Sequence, residues 1–170
     1  MNLQALHKLS YGMYIVSSVK DGKLNGQVSD AVLQVTSEPP MIAVCINKQN
    51  LTHECIMSKK AFSVSILSVD APMAYIGKFG FKSGRDTDKF KDTKFKTGSS
   101  GVPIPLDYAI GYIEAEVTST LELGTHTLFI GKIIDADITG EQEPMTYAYY
   151  HLVKGGKIQK NSPTYNPQDK

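Results

Sequence analysis

The chain has 170 residues, 41% of them hydrophobic and 21% charged, with a formal net charge of +1. That length suits one domain burying roughly 70% of the surface its unfolded form exposes, and the near-neutral balance argues against a dedicated nucleic-acid binder, which carries a basic excess. Cys45 and Cys55 form no CxxC pair, which argues against a zinc ribbon, an iron–sulfur cluster or a thioredoxin-type dithiol. The opening "MNLQALHKLS" lacks the pattern of a secretory leader, and no apolar run approaches the ~20 residues of a membrane span. With sparse thiols suited to a reducing compartment, a cytoplasmic protein without a membrane partner is expected.

Leu3, Leu6 and Leu9 recur every three residues, enough for a short opening helix. "MYIVSSVKDGKLNGQV" reads as two strands around an Asp21-Gly22 turn. "SEPP" breaks the chain, and the unalternating "MIAVCIN" suggests a strand buried on both faces. "NLTHECIMSKK" is a helix with Asn50 or Thr52 placed to cap it. "AFSVSIL" alternates as a strand, and "DAPMAYIGKFG" reads as a helix with Asp70 as N-cap and Pro72 in its first turn. Residues 80–105 hold Gly, Ser, Lys and Asp without a sustained period and read as one long irregular segment. "YIEAEVTSTLEL" and "THTLFIGKIIDADI" restore strands; on the second, His126 shares a face with Leu128, Ile130 and Ile134, opposite Thr127 and Phe129. The tail "KGGKIQKNSPTYNPQDK" is polar and Pro/Gly-rich, an arm or linker. Many strands with few helices and no βαβ rhythm predict a closed or nearly closed antiparallel barrel rather than a doubly wound sheet.

No GxGxxG or GxxxxGK[ST] is present, and "GSSG" at 98–101 lacks the spacing of a nucleophile elbow and reads as a flexible turn. The histidines at 7, 53, 126 and 151 do not pair at ligand spacing, so no metal site is expected. "CINKQNLTHE" places Asn47, Lys48, Asn50 and Thr52 around a helix N-terminus, a seat for an anion or simply a capped helix. "FKSGRDTDKF" offers Lys82, Ser83, Arg85 and Lys89 as a second phosphate clamp or a solvated loop. His126 is either a hydrogen-bonded histidine at a core edge or a group aimed at a ligand. Tyr147, Tyr149, Tyr150 and His151 in "YAYYH" read as interface aromatics or a ligand wall.

The order "NGQVSDAVLQVTSEPP", "INKQNLTHECI", "AFSVSIL", "GRDTDKF", "GTHTLFIG" and "YAYYH" resembles the flavin reductase-like, FMN-binding split-barrel family. The resemblance runs from about Tyr11 to His151 and is closest to the branch with flavoredoxins and the flavin domain of high-molecular-weight rubredoxins. It implies a mainly β, homodimeric split barrel with a few short helices, FMN near the subunit interface, and NADH or NADPH as reductant. Residues 1–153 would form the flavin domain and 154–170 the polar arm. The stretch from Val28 to Thr36 matches the strand that lines the isoalloxazine, with Ser29, Asp30 and Gln34 as edge contacts. Asn47, Lys48, Asn50 and Thr52 match the segment holding the FMN phosphate; Ser83, Arg85 and Lys89 match the loop closing over ribityl and phosphate. His126 matches the histidine at the nicotinamide end of the flavin. The implied activity is an NAD(P)H-dependent flavin reductase passing electrons through FMN to free flavin or a redox partner. The alternatives are an FMN electron carrier serving a rubredoxin or other redox protein, and a flavin storage or sensing protein. The tail resembles the link to a rubredoxin module, whose cysteine pairs this chain lacks.

Overall fold

The computed structural model describes residues 2–165; Met1 and the last five residues of the arm lie outside it. A single 3₁₀ helix, Leu3–Lys8, stands where the leucine spacing predicts an opening helix. Strands β1 (Tyr14–Lys20) and β2 (Lys23–Ser29) form a hairpin whose turn residues Asp21 and Gly22 both have positive φ, 51° and 75°. That is the two-residue turn whose twist matches the flanking strands. A second hairpin, β3 (Val32–Ser37) and β4 (Pro40–Asn47), follows. Helix α1 (Leu51–Lys59) leads to β5 (Ala61–Leu67) and α2 (Met73–Gly80). Helix α2 begins one residue after Pro72, which is its N-cap with ψ 152° in place of the expected Asp70. The segment expected to be irregular carries a small hairpin, β6 (Phe95–Thr97) with β7 (Pro103–Pro105). The long strands β8 (Ala109–Leu123) and β9 (His126–Ile138) and the short helix α3 (Tyr147–Leu152) complete the order.

The seven-stranded sheet runs β2-β1-β5-β8-β9-β4-β3, all antiparallel. Its two edge strands, β2 and β3, are consecutive in sequence, with only Asp30 and Ala31 between them. Two edges of one sheet can share so short a connection only if the sheet curls back on itself. The result is a barrel split along β2 and β3, with Asp30 at the corner where the split closes.

The barrel interior holds Val16, Ile42, Val44, Ile46, Phe62, Val64, Ala115 and Phe129, with Ile56 of α1 inserted among them. A second core outside the barrel gathers Met13, Ile15, Leu67, Ile76, Phe79, Phe90, Met145 and Tyr150. Consecutive residues Ile15 and Val16 serve different cores, so β1 is covered on both faces. The unalternating "MIAVCIN" of β4 is likewise buried at Ile42, Ala43 and Val44 together. Residues 98–101, expected as a flexible turn, wrap the fully buried Glu114: the N–H and O–H groups of Ser99 and Ser100 all donate to its carboxylate.

Candidate functional site

Two adjoining clefts follow the split of the barrel. The larger, about 540 Å³, lies between β2, the N-terminus of α1, the end of α2 and residues 81–85. Its lining includes Asn50, Thr52, Ser83, Arg85 and Lys89, which lie far apart in sequence, together with Asn25 and Gln27 of β2. Such a volume falls within the ~300–1,000 Å³ typical of small-ligand pockets. The smaller cleft, about 30 Å³, is lined by Val28, Ser29 and Asp30. Eight of the sequence candidates thus share one groove. Five do not line it: His126 opens β9 beyond both clefts, and Gln34 and Thr36 are exposed on β3 and bond within the β3–β4 hairpin. Asn47 receives the Gln49 N–H, and the Lys48 ammonium pairs with Glu122 on the far side of the β4 end.

The groove has a one-sided charge. Lys82, Arg85, Lys89, Lys157 and Lys160 line the larger cleft, and among the described residues no carboxylate does. Lys89 is 5% exposed, and its ammonium donates to the carbonyls of Gly26 (2.9 Å) and Phe79 (3.1 Å). Burial lowers its pKa to about 8, because a charge taken from water without an anionic partner favours its neutral form. Arg85 reaches outward to Glu54, leaving its backbone and Ser83 at the rim. Asn50, the α1 N-cap, makes no cap bond with its side chain; its amide donates to Gln27 and its oxygen accepts from Asn161. Asn25 donates to Thr52 at 2.8 Å, while its own buried oxygen has no partner. A Cβ at Gly84 would stand 1.9 Å from that oxygen, so only glycine leaves it in place.

His126 opens β9 on the outer face. The inner face of β9 carries Thr127, Phe129 and Gly131, all buried, so the apolar face expected at a core edge points outward instead. Register places Leu33, Ala43 and Ile130 beside one another on that outer face, then Cys45, Leu128 and Leu121, then His126 with Leu123. Leu33, Leu121 and Leu123 are exposed. His126 Nε2 donates to the carbonyl of Asn161 at 3.3 Å and Nδ1 accepts from Thr125, which fixes the proton on Nε2. In the aromatic segment 147–151, Tyr147 and Tyr150 each pack edge to face on His151; Tyr150 is buried and Tyr147, Tyr149 and His151 are half-buried.

Sequence reasoning missed the tail's part in this groove. Residues 157–161 line the larger cleft, and 157–159 with 161–163 the smaller one. The signal available was Lys154, Lys157 and Lys160 at three-residue spacing in "KGGKIQK", which composition alone reads as a solvated linker.

Residues 6–156 match the model of the flavin reductase like domain. The chain is 48% identical over 165 residues to a high molecular weight rubredoxin of Moorella thermoacetica, covering 97% of this chain and 72% of that one. It is 44% identical to a ferric-chelate reductase (NAD(P)H) of Archaeoglobus fulgidus, covering 97% and 98%. Among solved structures, the flavin reductase PheA2 superposes with a TM-score of 0.72 at 28% identity, covering 84% of this chain and 88% of that one. An NADH:FAD oxidoreductase of Streptomyces globisporus shares the fold at a TM-score of 0.76 and 23% identity, covering 84% of each chain. The chain belongs to the flavin reductase-like domain family.

Proposed function

We propose that the protein is an NAD(P)H-dependent FMN oxidoreductase whose cofactor phosphate sits in the larger cleft. The observation that carries this reading is the set of four lysines, Lys82, Lys89, Lys157 and Lys160, lining that cleft with no carboxylate among the described residues, in a chain of net charge +1. A phosphate supplies the missing negative charge, and the amides and hydroxyls of Asn50, Thr52 and Ser83 add neutral hydrogen bonds at a helix N-terminus. The unpartnered oxygen of Asn25 is an acceptor, which suits a ribityl hydroxyl. The residues present therefore fit FMN.

When bound, the flavin supplies the hydride- and electron-accepting chemistry. The chain's own part is to hold the phosphate end through Thr52, Ser83 and Lys89 and to flank the other end with Ser29 and Asp30. The Nε2–H of His126, held here by the Asn161 carbonyl, is the donor that a nicotinamide carboxamide would take up in place of that carbonyl. The names of the relatives support both a nicotinamide-dependent reductase and a flavin domain working with a rubredoxin. The second reading, an electron carrier for a rubredoxin or another redox protein, is favoured by the 48% identity to the rubredoxin relative. We place a homodimer contact on the outer face of β3, β4, β8 and β9, where exposed leucines continue half-buried Leu128 and Ile130.

The test is cofactor analysis followed by turnover. FMN should be recovered from, or bind to, the purified protein, and NADH or NADPH oxidation is then followed with free FMN or a rubredoxin as acceptor. Oxidation with free flavin supports the reductase, and electron delivery only to rubredoxin supports the carrier. Failure to bind FMN removes both.

A further inference from the structure

Residues 157–164 lie beyond the stretch matched by the family model, which ends at 156, yet they are fastened to the barrel along their length. Tyr150 donates to the Lys157 carbonyl at 3.1 Å. Gly80 leaves room for Gln159, whose Nε2 would stand 2.5 Å from a Cβ there. Asn161 donates to Asn50 at 3.0 Å and receives His126 on its carbonyl. Ser162 and Thr164 both donate to the carboxylate of Asp30, which is 4% exposed. Asp30 lines the smaller cleft, Asn50 the larger one, and His126 stands at the start of β9 beyond both, so the segment runs across the groove as a strap.

The strap also changes the groove's chemistry. Lys157 and Lys160 join Lys82, Arg85 and Lys89 around the larger cleft, and like charges gathered this closely repel one another unless an anion sits between them. Asp30 holds the strap from the opposite end and does not line that cleft.

We propose that residues 157–164 are a working wall of the phosphate site: Lys157 and Lys160 bind the anion, while Asp30 latches the strap through Ser162 and Thr164. The ligand class is a phosphate monoester, so this rests on the reading of the larger cleft as a phosphate seat. A bound phosphate bridges strap and barrel and closes the strap; without it, the repulsion among the four lysines loosens the Lys157–Lys160 stretch while the Asp30 latch remains.

Binding of FMN and riboflavin to the full-length protein, followed by flavin fluorescence, tests the wall. Lys157→Gln with Lys160→Gln alters two exposed side chains and should weaken FMN about ten-fold while leaving riboflavin within about two-fold. Ser162→Ala with Thr164→Val, which unlatches the strap without touching the lysines, should weaken FMN as well. A lysine variant that binds FMN as the wild type does overturns the proposal. Separately, inorganic phosphate should slow tryptic cleavage after Lys157 and Lys160 in the wild type by about five-fold or more. If the wild type binds FMN no better than riboflavin, the phosphate reading of the cleft falls. The phosphate protection then decides the strap: protection retains an anion-binding wall, and its absence overturns it.

Discussion

Lys89 gives the sharpest test of the groove's electrostatics. Its ammonium is buried against two carbonyls and has no carboxylate partner among the described residues; burial lowers its pKa from 10.5 to about 8. In the unfolded chain the same group titrates near its ordinary value. Between these values the unfolded state binds more protons than the folded one, so stability rises with pH. The contribution is fully present above 10.5 and lost as pH falls through about 8. Integrating the linkage relation from pH ~7.5 to ~9.5 gives a gain of about 1.8 kcal/mol, at 1.36 kcal/mol per pKa unit. For a chain of this size that is a rise of about 4–7 °C in Tm. The window must close below about pH 10. There Tyr147, pushed up to about 12 mainly by burial, and Tyr75, raised further by burial, begin to act the other way. Their unfolded forms ionise first, and stability falls. Urea unfolding at several pH values, on wild type and Lys89→Met, isolates the term: the wild type should gain about 1.8 kcal/mol relative to the variant. Saturating FMN should flatten the wild-type slope, because a phosphate beside Lys89 restores its charged form. Parallel slopes for wild type and variant without ligand would refute the reasoning, since Lys89 would then carry no desolvation penalty.

His126→Ala should keep FMN affinity within about two-fold while slowing flavin reduction by NADH or NADPH roughly 10- to 100-fold, or about 1.4–2.7 kcal/mol of barrier; stopped-flow reduction at saturating FMN reads that step. Lys48→Ala should leave FMN affinity unchanged, because Lys48 is paired with Glu122 outside the cleft, whereas Thr52→Ala should weaken FMN several-fold. Glu114→Gln should destabilise the fold by about 2–3 kcal/mol, since an amide cannot accept from all four Ser99 and Ser100 donors. Burial raises the Glu114 carboxyl and the Ser100 and Ser99 donors more than offset it, leaving it below its ordinary 4.5. The wild type should therefore lose stability as pH falls below that value, and the variant should lack that limb in acid-unfolding curves. Sedimentation should give about twice 18.6 kDa, and Leu121→Asp with Leu33→Asp should yield the monomer.

What was legible in the sequence was local. The Asp21-Gly22 hairpin follows from the positive φ its two residues must adopt, and the buried β4 follows from six apolar residues in a row. Asn50 with Thr52, and Ser83 with Arg85 and Lys89, were legible as two short polar clusters. Their convergence was not, because it depends on how the sheet curls. Periodicity gave β9 its alternation but not which side faces in. Both faces carry apolar residues, and only the closure of the barrel sends Phe129 inward and Leu128 out. The tail's packing against the barrel was not legible for a related reason. Its polarity is that of a solvated linker, yet polarity is also what a segment needs when it bonds to Asp30, Asn50 and His126. Apolar residues there would leave the Asp30 carboxylate buried without donors, at a cost of several kcal/mol by the usual desolvation penalty. The same composition thus describes a chain left in water and a chain paired with buried polar groups. The partner decides between them, and the sequence places that partner more than 130 residues away.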